Sequence, residues 1–170
     1  MAKIKTKSGY RFVKELGGAI RHEEISFAAR WLVENKRVRE PVLDFGCGHG
    51  FDADHFGWTG YDPYYRQQEP SGTFNTVICN HVLNMLTRES RQSVLSSIQK
   101  FLNDDGNAWL VVPRNIPVIG KLGARKRIQN YVVYDLPSVY DDDQLEIYQL
   151  APKAKAKDKT REIELRLGNK

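Results

Sequence analysis

Cysteine is scarce in this chain: Cys47 and Cys79 are the only two in 170 residues. Two cysteines imply no disulfide framework, and these two make no closely spaced metal-binding pair. No apolar run is long enough to cross a bilayer, and no N-terminal stretch reads as a secretory signal. These absences lead to the expectation of a cytoplasmic protein with no membrane association and no metal site. The length suits one domain that can bury a real core.

Basic charge is scarce in the middle of the chain. The formal net charge is +5. Met1 to Arg39 carries ten Lys or Arg against four Asp or Glu, Glu40 to Val112 four against nine, and Pro113 to Lys170 twelve against eight. An acidic centre is therefore flanked by basic ends. Basic ends can approach nucleic acid through its phosphates. These clusters are short with few interleaved aromatics, so solvated ends are slightly favoured.

What stands out is glycine in one place: Val42-Leu43-Asp44-Phe45-Gly46-Cys47-Gly48-His49-Gly50. The apolar run from Pro41 to Phe45 reads as a short buried strand. Three alternating glycines then force a tight turn that no side chain crowds. A ligand can lie against backbone N–H groups where the next helix begins. The dinucleotide fingerprint spaces its glycines G-x-G-x-x-G. Here the pattern is D-x-G-x-G-x-G with the acid inside it. Asp52 and Asp54 would sit in the first helical turn, where acids suit the helix dipole but make poor neighbours for a phosphate. A nucleotide or NAD site is thereby disfavoured.

This spacing resembles motif I of the class I S-adenosylmethionine-dependent methyltransferases. The resemblance implies that the loop holds the methionine part of the cofactor. Asp44 would orient that end, Gly46, Gly48 and Gly50 would admit the backbone approach, and Cys47 and His49 would lie in the loop as contacts. It also implies a second acid on the ribose hydroxyls. Asp62, in Trp58-Thr59-Gly60-Tyr61-Asp62-Pro63, is placed for that role, because a carboxylate accepts two hydrogen bonds from a vicinal diol. Pro63, Tyr64, Asn80 and Val82 complete the implied cofactor contacts.

The fold class that follows is α/β. A Rossmann-like three-layer fold is expected, with a mostly parallel sheet and antiparallel last strands. Ile20 to Asn35 has helical spacing, with Ile25, Ala28, Ala29, Leu32 and Val33 recurring. Phe51 to Phe56 leaves room for a very short helix. Phe74 to Cys79 reads as a strand, Arg88 to Leu102 as an amphipathic helix, and Asp104-Asp105-Gly106-Asn107 as a turn before a buried strand, Ala108 to Val112. Arg114 to Asn130 is loop-like and basic, with Lys121, Arg125, Lys126 and Arg127. Tyr131 to Tyr134 and Leu145 to Leu150 read as an antiparallel edge pair around Asp141-Asp142-Asp143. Pro152 to Lys159 reads as a solvated linker or tail, and Arg161 to Leu167 as a terminal strand or a frayed helix. The expected organisation is a basic N-terminal segment (1–19), a compact methyltransferase-like domain (20–150) and a basic C-terminal tail (151–170).

One interval is too short for the family. Only Pro63 to Thr73 separate Asp62 from the next strand, and Pro63, Pro70 and Gly72 make this a loop. The family's outer strand after Asp62, with its helix, is expected to be missing. That region usually lines the adenine pocket, and Tyr64 and Tyr65 are the available aromatic substitutes. The sheet edge left bare would invite a partner subunit.

Methyl transfer needs alignment and exclusion of water, and a base only where the acceptor must lose a proton. The catalytic candidates are His81, whose imidazole suits proton transfer near neutral pH, and Asn80. The Asn/Asp/Ser-Pro-Pro-aromatic motif of amino-group DNA methyltransferases is absent, since Asn80-His81-Val82-Leu83 stands there. There is no Pro-Cys step of the cytosine-ring enzymes either. The short helix, Gly60-Tyr61-Asp62-Pro63-Tyr64-Tyr65 and Asn80-His81-Val82-Leu83-Asn84-Met85-Leu86 more narrowly resemble methyltransferases associated with DNA phosphorothioation. The leading expectation is an S-adenosylmethionine-dependent methyltransferase of unknown acceptor, nucleic acid slightly favoured over protein or small molecule. The alternative is a non-catalytic S-adenosylmethionine-binding module or accessory subunit.

Overall fold

The apolar runs become the strands of one six-stranded sheet in the computed structural model, which describes residues 4–5, 11–12, 21–118 and 129–168. A separate two-stranded ribbon pairs β1 (Ile4–Lys5) with β2 (Arg11–Phe12). The domain then runs α1 (Phe27–Glu34), β3 (Val42–Phe45), α2 (Phe51–Phe56), β4 (Thr59–Tyr61), β5 (Phe74–Asn80), α3 (Arg88–Phe101) and β6 (Leu102–Pro113). It continues with β7 (Tyr134–Asp135), β8 (Ser138–Asp141), β9 (Leu145–Leu150), β10 (Lys157–Asp158) and α4 (Thr160–Gly168). The sheet order is β4-β3-β5-β6-β9-β8. The first four strands are parallel, and β9 pairs antiparallel with both β6 and β8. This is the expected mostly parallel sheet with antiparallel last strands.

Strand alternation sorts the core onto two faces. Leu43, Val77, Leu110 and Tyr148 pack with Val94, Leu95 and Ile98 of α3. Val42, Ile78, Trp109 and Ile147 pack with Ala28, Ala29 and Leu32 of α1. Helices on opposite faces of a parallel sheet give the three layers. β4 is the edge strand, and the only pairing recorded between it and β5 is an Asp62–Arg66 bridge closing a tight turn. Among the described residues no strand lies outside β4, as expected from the short interval after Asp62.

Several expectations change. The helix expected from Ile20 begins at Phe27, because Ser26 caps it: its hydroxyl accepts from Ala29 N at 3.1 Å. The expected turn at Asp104 to Asn107 is a looped-out stretch inside β6, where Phe74 pairs with Leu102 and Thr76 with Asn107. The antiparallel edge pair is β8 with β9, not the Tyr131–Tyr134 segment. The acidic turn joins these two strands, and Asp142 Oδ1 accepts from Gln144 N and Leu145 N at 2.8 and 2.9 Å. Tyr134 pairs instead with β10. Lys121, Arg125, Lys126 and Arg127 lie outside the described residues, as does most of 1–19.

The stretch from Pro152 to Lys159 is no solvated tail. Ala154 and Ala156 pack on the core, β10 pairs with β7, and Thr160 is buried. Arg161 to Leu167 is helical and exposes Leu165 and Leu167. The anchor is a buried ion pair, Arg91 Nε to Asp158 Oδ2 at 2.7 Å. The same guanidinium donates to Leu86 O at 2.9 Å. Removing one member of a buried pair strands the other charge, at a cost of about 3–5 kcal/mol. Arg91→Ala is therefore expected to lower the unfolding free energy by about that amount in urea titrations. An unchanged midpoint would show that the C-terminal segment does not depend on this pair.

Candidate active site

The glycine loop lies at the C-terminal end of β3 and is wired to the end of β4. Gly46, Gly48 and Gly50 all take left-handed backbone, with φ of +80°, +56° and +82°, which glycine adopts without a side-chain clash. Gly46 N and Cys47 N both donate to Tyr61 O, at 2.8 and 3.0 Å. Parallel pairing of Phe45 with Tyr61 sets Asp62 beside the loop. Gly48 N donates to Asp62 Oδ2 at 3.1 Å, while Asp62 Oδ1 accepts from Tyr64 N at 2.8 Å and Tyr65 N at 3.1 Å. A carboxylate offers about four acceptor directions. Asp62 therefore keeps capacity for a further donor.

Two of the three glycines make room for the protein's own side chains. A Cβ on Gly46 would collide with Val82 Cγ2, and one on Gly50 with the Arg66 guanidinium. Arg66 crosses the loop: Nε and Nη2 donate to His49 O at 3.2 and 3.0 Å, and Nη1 donates to Asp54 Oδ1 at 2.8 Å. Its Nη2 also pairs with Asp54 Oδ2. That hydrogen-bonded guanidinium holds the Asp54 carboxyl below its ordinary pKa. The Tyr65 ring leans on the His49 ring, centroids 4.2 Å apart. Pro63 is buried, and the Tyr64 ring packs on the core while its backbone N–H donates to Asp62.

Asp44 is buried among acids. Desolvation first, then the charges of Asp52 and Asp62, push its carboxyl up to about 8, with Arg66 opposing. It is held largely neutral at neutral pH, and a nearby cation would favour its ionised form. Burial also raises the thiols of Cys47 and Cys79, so neither is an activated nucleophile.

The other side of the site is a groove of about 610 Å³ between the segment leading into α1 and the end of β5. Arg21, His22, Ser26, Phe27, Asn80 and His81 are among its walls. Ser26 donates from N and Oγ to Asp52, at 2.8 and 2.6 Å. With that hydroxyl proton committed, Asn80 must present its NH₂ to Ser26 Oγ, at 3.1 Å. Asn80 Oδ1 is left buried with no partner among the described residues. His81 takes φ +54°, and its N–H donates to Val111 O at 3.0 Å. Its ring remains exposed at the surface, yet desolvation by the surrounding chain and then the nearby His22 lower its pKa. The neutral imidazole prevails at neutral pH.

The predicted site residues thus gather in two adjoining places. Asp44, Gly46, Cys47, Gly48, His49, Gly50, Asp62 and Val82 surround the loop, and Asn80 and His81 flank the groove. Sequence reasoning missed Ser26, the anchoring role of Asp52, and Arg66. Arg66 carried a legible signal, being the first basic residue after Arg39 among Asp44, Asp52, Asp54 and Asp62. Among the described residues no group of three His, Cys, Asp or Glu is arranged for a metal, and no helix is long and apolar enough to cross a membrane.

Residues 18–148 match a family model described as a methyltransferase domain. The chain belongs to this methyltransferase family. No curated protein matches it in sequence. Among solved structures, it resembles the 1,6-didemethyltoxoflavin-N1-methyltransferase of Burkholderia thailandensis, crystallised with 1,6-didemethyltoxoflavin and S-adenosylhomocysteine. The identity is 15%, 72% of this chain and 75% of the other are covered, and the TM-score is 0.51. A TehB-like SAM-dependent methyltransferase of Corynebacterium glutamicum follows at 14% identity, 76% and 89% coverage and TM-score 0.50. The PH0226 protein of Pyrococcus horikoshii OT3 stands at 13%, 73% and 87%, and 0.51. At such identities the likeness speaks to the Rossmann-like fold.

The buried acid of this methyltransferase has a stability consequence. A carboxyl whose folded pKa is raised gives up stability as pH climbs from its unfolded value toward its folded one. For Asp44 that window runs from 3.8 to about 8. Asp44→Asn is expected to unfold at higher denaturant than the native chain at pH 8, with the difference shrinking toward pH 5. A difference independent of pH would mean that Asp44 is not held neutral.

Proposed function

We propose that this methyltransferase uses S-adenosylmethionine and that the loop from Gly46 to Gly50, between Asp44 and Asp62, is its cofactor site. One observation carries the reading: a left-handed glycine loop is hydrogen-bonded through Gly48 N to a buried carboxylate with acceptor capacity to spare. The residues fit the group. Asp62 would accept from the ribose diol, and Asp44 would ionise beside a positive charge. Cys47, His49, Pro63, Tyr64 and Val82 would shape the walls. The cofactor, when bound, supplies a methyl carried on a sulfonium.

The chain's own groups then handle the acceptor. The groove walled by Ser26, Phe27, Asn80 and His81 receives it beside the loop. Asn80, its amide fixed by Ser26, lines the end of that groove beside the loop and would position the acceptor there. His81, neutral at working pH, takes the proton that the acceptor loses. Positioning and exclusion of water supply the rest. Nucleic acid is the acceptor class we favour, on the narrower resemblance to methyltransferases associated with DNA phosphorothioation.

Calorimetry with S-adenosylhomocysteine and NAD tests the cofactor reading. The native chain is expected to bind the first and ignore the second. Asp62→Ala should weaken S-adenosylhomocysteine binding by about tenfold or more. No binding at millimolar concentration would sink the reading. His81→Ala is expected to leave S-adenosylhomocysteine affinity intact. It should slow transfer of label from S-adenosylmethionine to DNA, RNA or cell extract by roughly a hundredfold. Transfer at the native rate would remove His81 as the base.

A further inference from the structure

The groove at the end of β5 is uneven in its chemistry. Of the residues that line it only Ile25 and Phe27 are apolar, while Arg21, His22, Asn80 and His81 are among its polar walls. Phe27 is the first residue of α1 and keeps 48% of its surface exposed. The ring is nevertheless braced by its neighbours. Its centroid lies 5.3 Å from that of Tyr140 in β8, and Tyr140 lies 5.1 Å from Trp31. Trp31 and Tyr140 both pack on the core beneath α1, and the Tyr140 hydroxyl donates to Asp142 Oδ2 at 2.5 Å. The backbone before Phe27 is fixed as well, because Ser26 caps the helix and is itself held by Asp52. A ring restrained in this way offers a flat surface that loses little freedom when something binds to it.

The geometry points to Phe27 as a stacking platform for the methyl acceptor, and so to a planar nitrogen heterocycle as the acceptor. This rests on the reading of the groove given above. One flat apolar wall among polar ones matches a ligand with an apolar face and a polar rim. An aliphatic chain would leave the polar walls without partners, and a sugar or a phosphate would make no use of the ring. A volume of about 610 Å³ accommodates a heterocycle together with its sugar. Stacked on Phe27, the heterocycle turns its edge to the polar walls, His81 among them. An N–H on that edge gives its proton to the neutral His81 imidazole. The nitrogen takes the methyl as the methyl–sulfur bond breaks, and the sulfonium is left as a neutral thioether. A free nucleoside-like compound and an unpaired base of a nucleic-acid strand share this chemistry. In a strand the base leaves its stack to reach Phe27.

The test uses the full chain saturated with S-adenosylhomocysteine, so that the cofactor site is filled. Cytidine, guanosine and a short single-stranded DNA are titrated calorimetrically, with ribose and an abasic strand of the same length as controls that lack the ring. At least one ring-bearing probe is expected to bind, and the controls are not. Phe27→Ala should weaken that binding about tenfold, Phe27→Leu should do the same, and Phe27→Tyr, which keeps the ring, should restore it. S-adenosylhomocysteine affinity should be unchanged in all three variants. Nucleosides binding without DNA would mark a small heterocycle as the acceptor, and DNA binding without nucleosides an extruded base; either supports the platform. Native affinity in Phe27→Leu overturns it, because the side chain would then supply apolar contact and not a flat face. Controls as tight as the ring-bearing probes overturn it, and so does a parallel loss of S-adenosylhomocysteine affinity in Phe27→Ala. If a chain that binds S-adenosylhomocysteine takes up none of the ring-bearing probes, the platform falls and the cofactor reading stands. Failure to bind S-adenosylhomocysteine removes both.

Discussion

The site depends on one carboxylate. Asp62 accepts backbone N–H groups from two separate stretches, Gly48 in the loop after β3 and Tyr64 and Tyr65 in the turn after β4. Those N–H groups point away from any sheet ladder, and buried donors without partners are costly. A single acid satisfies three of them and fixes the relative position of loop and turn. Parallel pairing of β3 with β4 makes this possible by setting both strand ends side by side. Ligands of open α/β sheets bind at this end of the strands.

Around that carboxylate the chain concentrates negative charge: Asp44, Asp52, Asp54 and Asp62 all lie near the loop, and each is handled differently. Asp52 is hydrogen-bonded by Ser26 and thereby fixes the entry to α1. Asp54 is paired with Arg66 at the exposed rim. Asp44, buried, is pushed toward neutrality. Acids gathered in this way make the loop a poor neighbour for a phosphate. The opposite face of the domain is closed by the buried Arg91–Asp158 pair. It fastens the C-terminal segment to the carbonyl of Leu86, just past the Asn80–His81 stretch.

Much of the fold was legible because periodicity and glycine punctuation act locally. The buried strand ending at Phe45 and the short helix from Phe51 to Phe56 follow from spacing alone, and the short loop after Asp62 from its Pro63, Pro70 and Gly72. Three misreadings share a cause. The start of α1, the edge partner of β9 and the fate of residues 151–168 are set by contacts between residues far apart in sequence. Ser26 is held by Asp52, Tyr134 pairs across to Asp158, and Asp158 is neutralised by Arg91. A lysine-rich stretch reads as solvated until a buried guanidinium is found waiting for its one aspartate.

The candidate site divides in the same way. Residue type and spacing by themselves determined the glycine turn and the two acids that flank it in sequence, because left-handed backbone demands glycine. Only the tertiary structure decided what those glycines accommodate. Gly46 makes way for Val82 and Gly50 for Arg66. It also decided that the Tyr64 ring packs on the core and which way the Asn80 amide points. Each of these is settled by close packing and by a hydroxyl that has one proton to give, and neither constraint exists until the chain has folded.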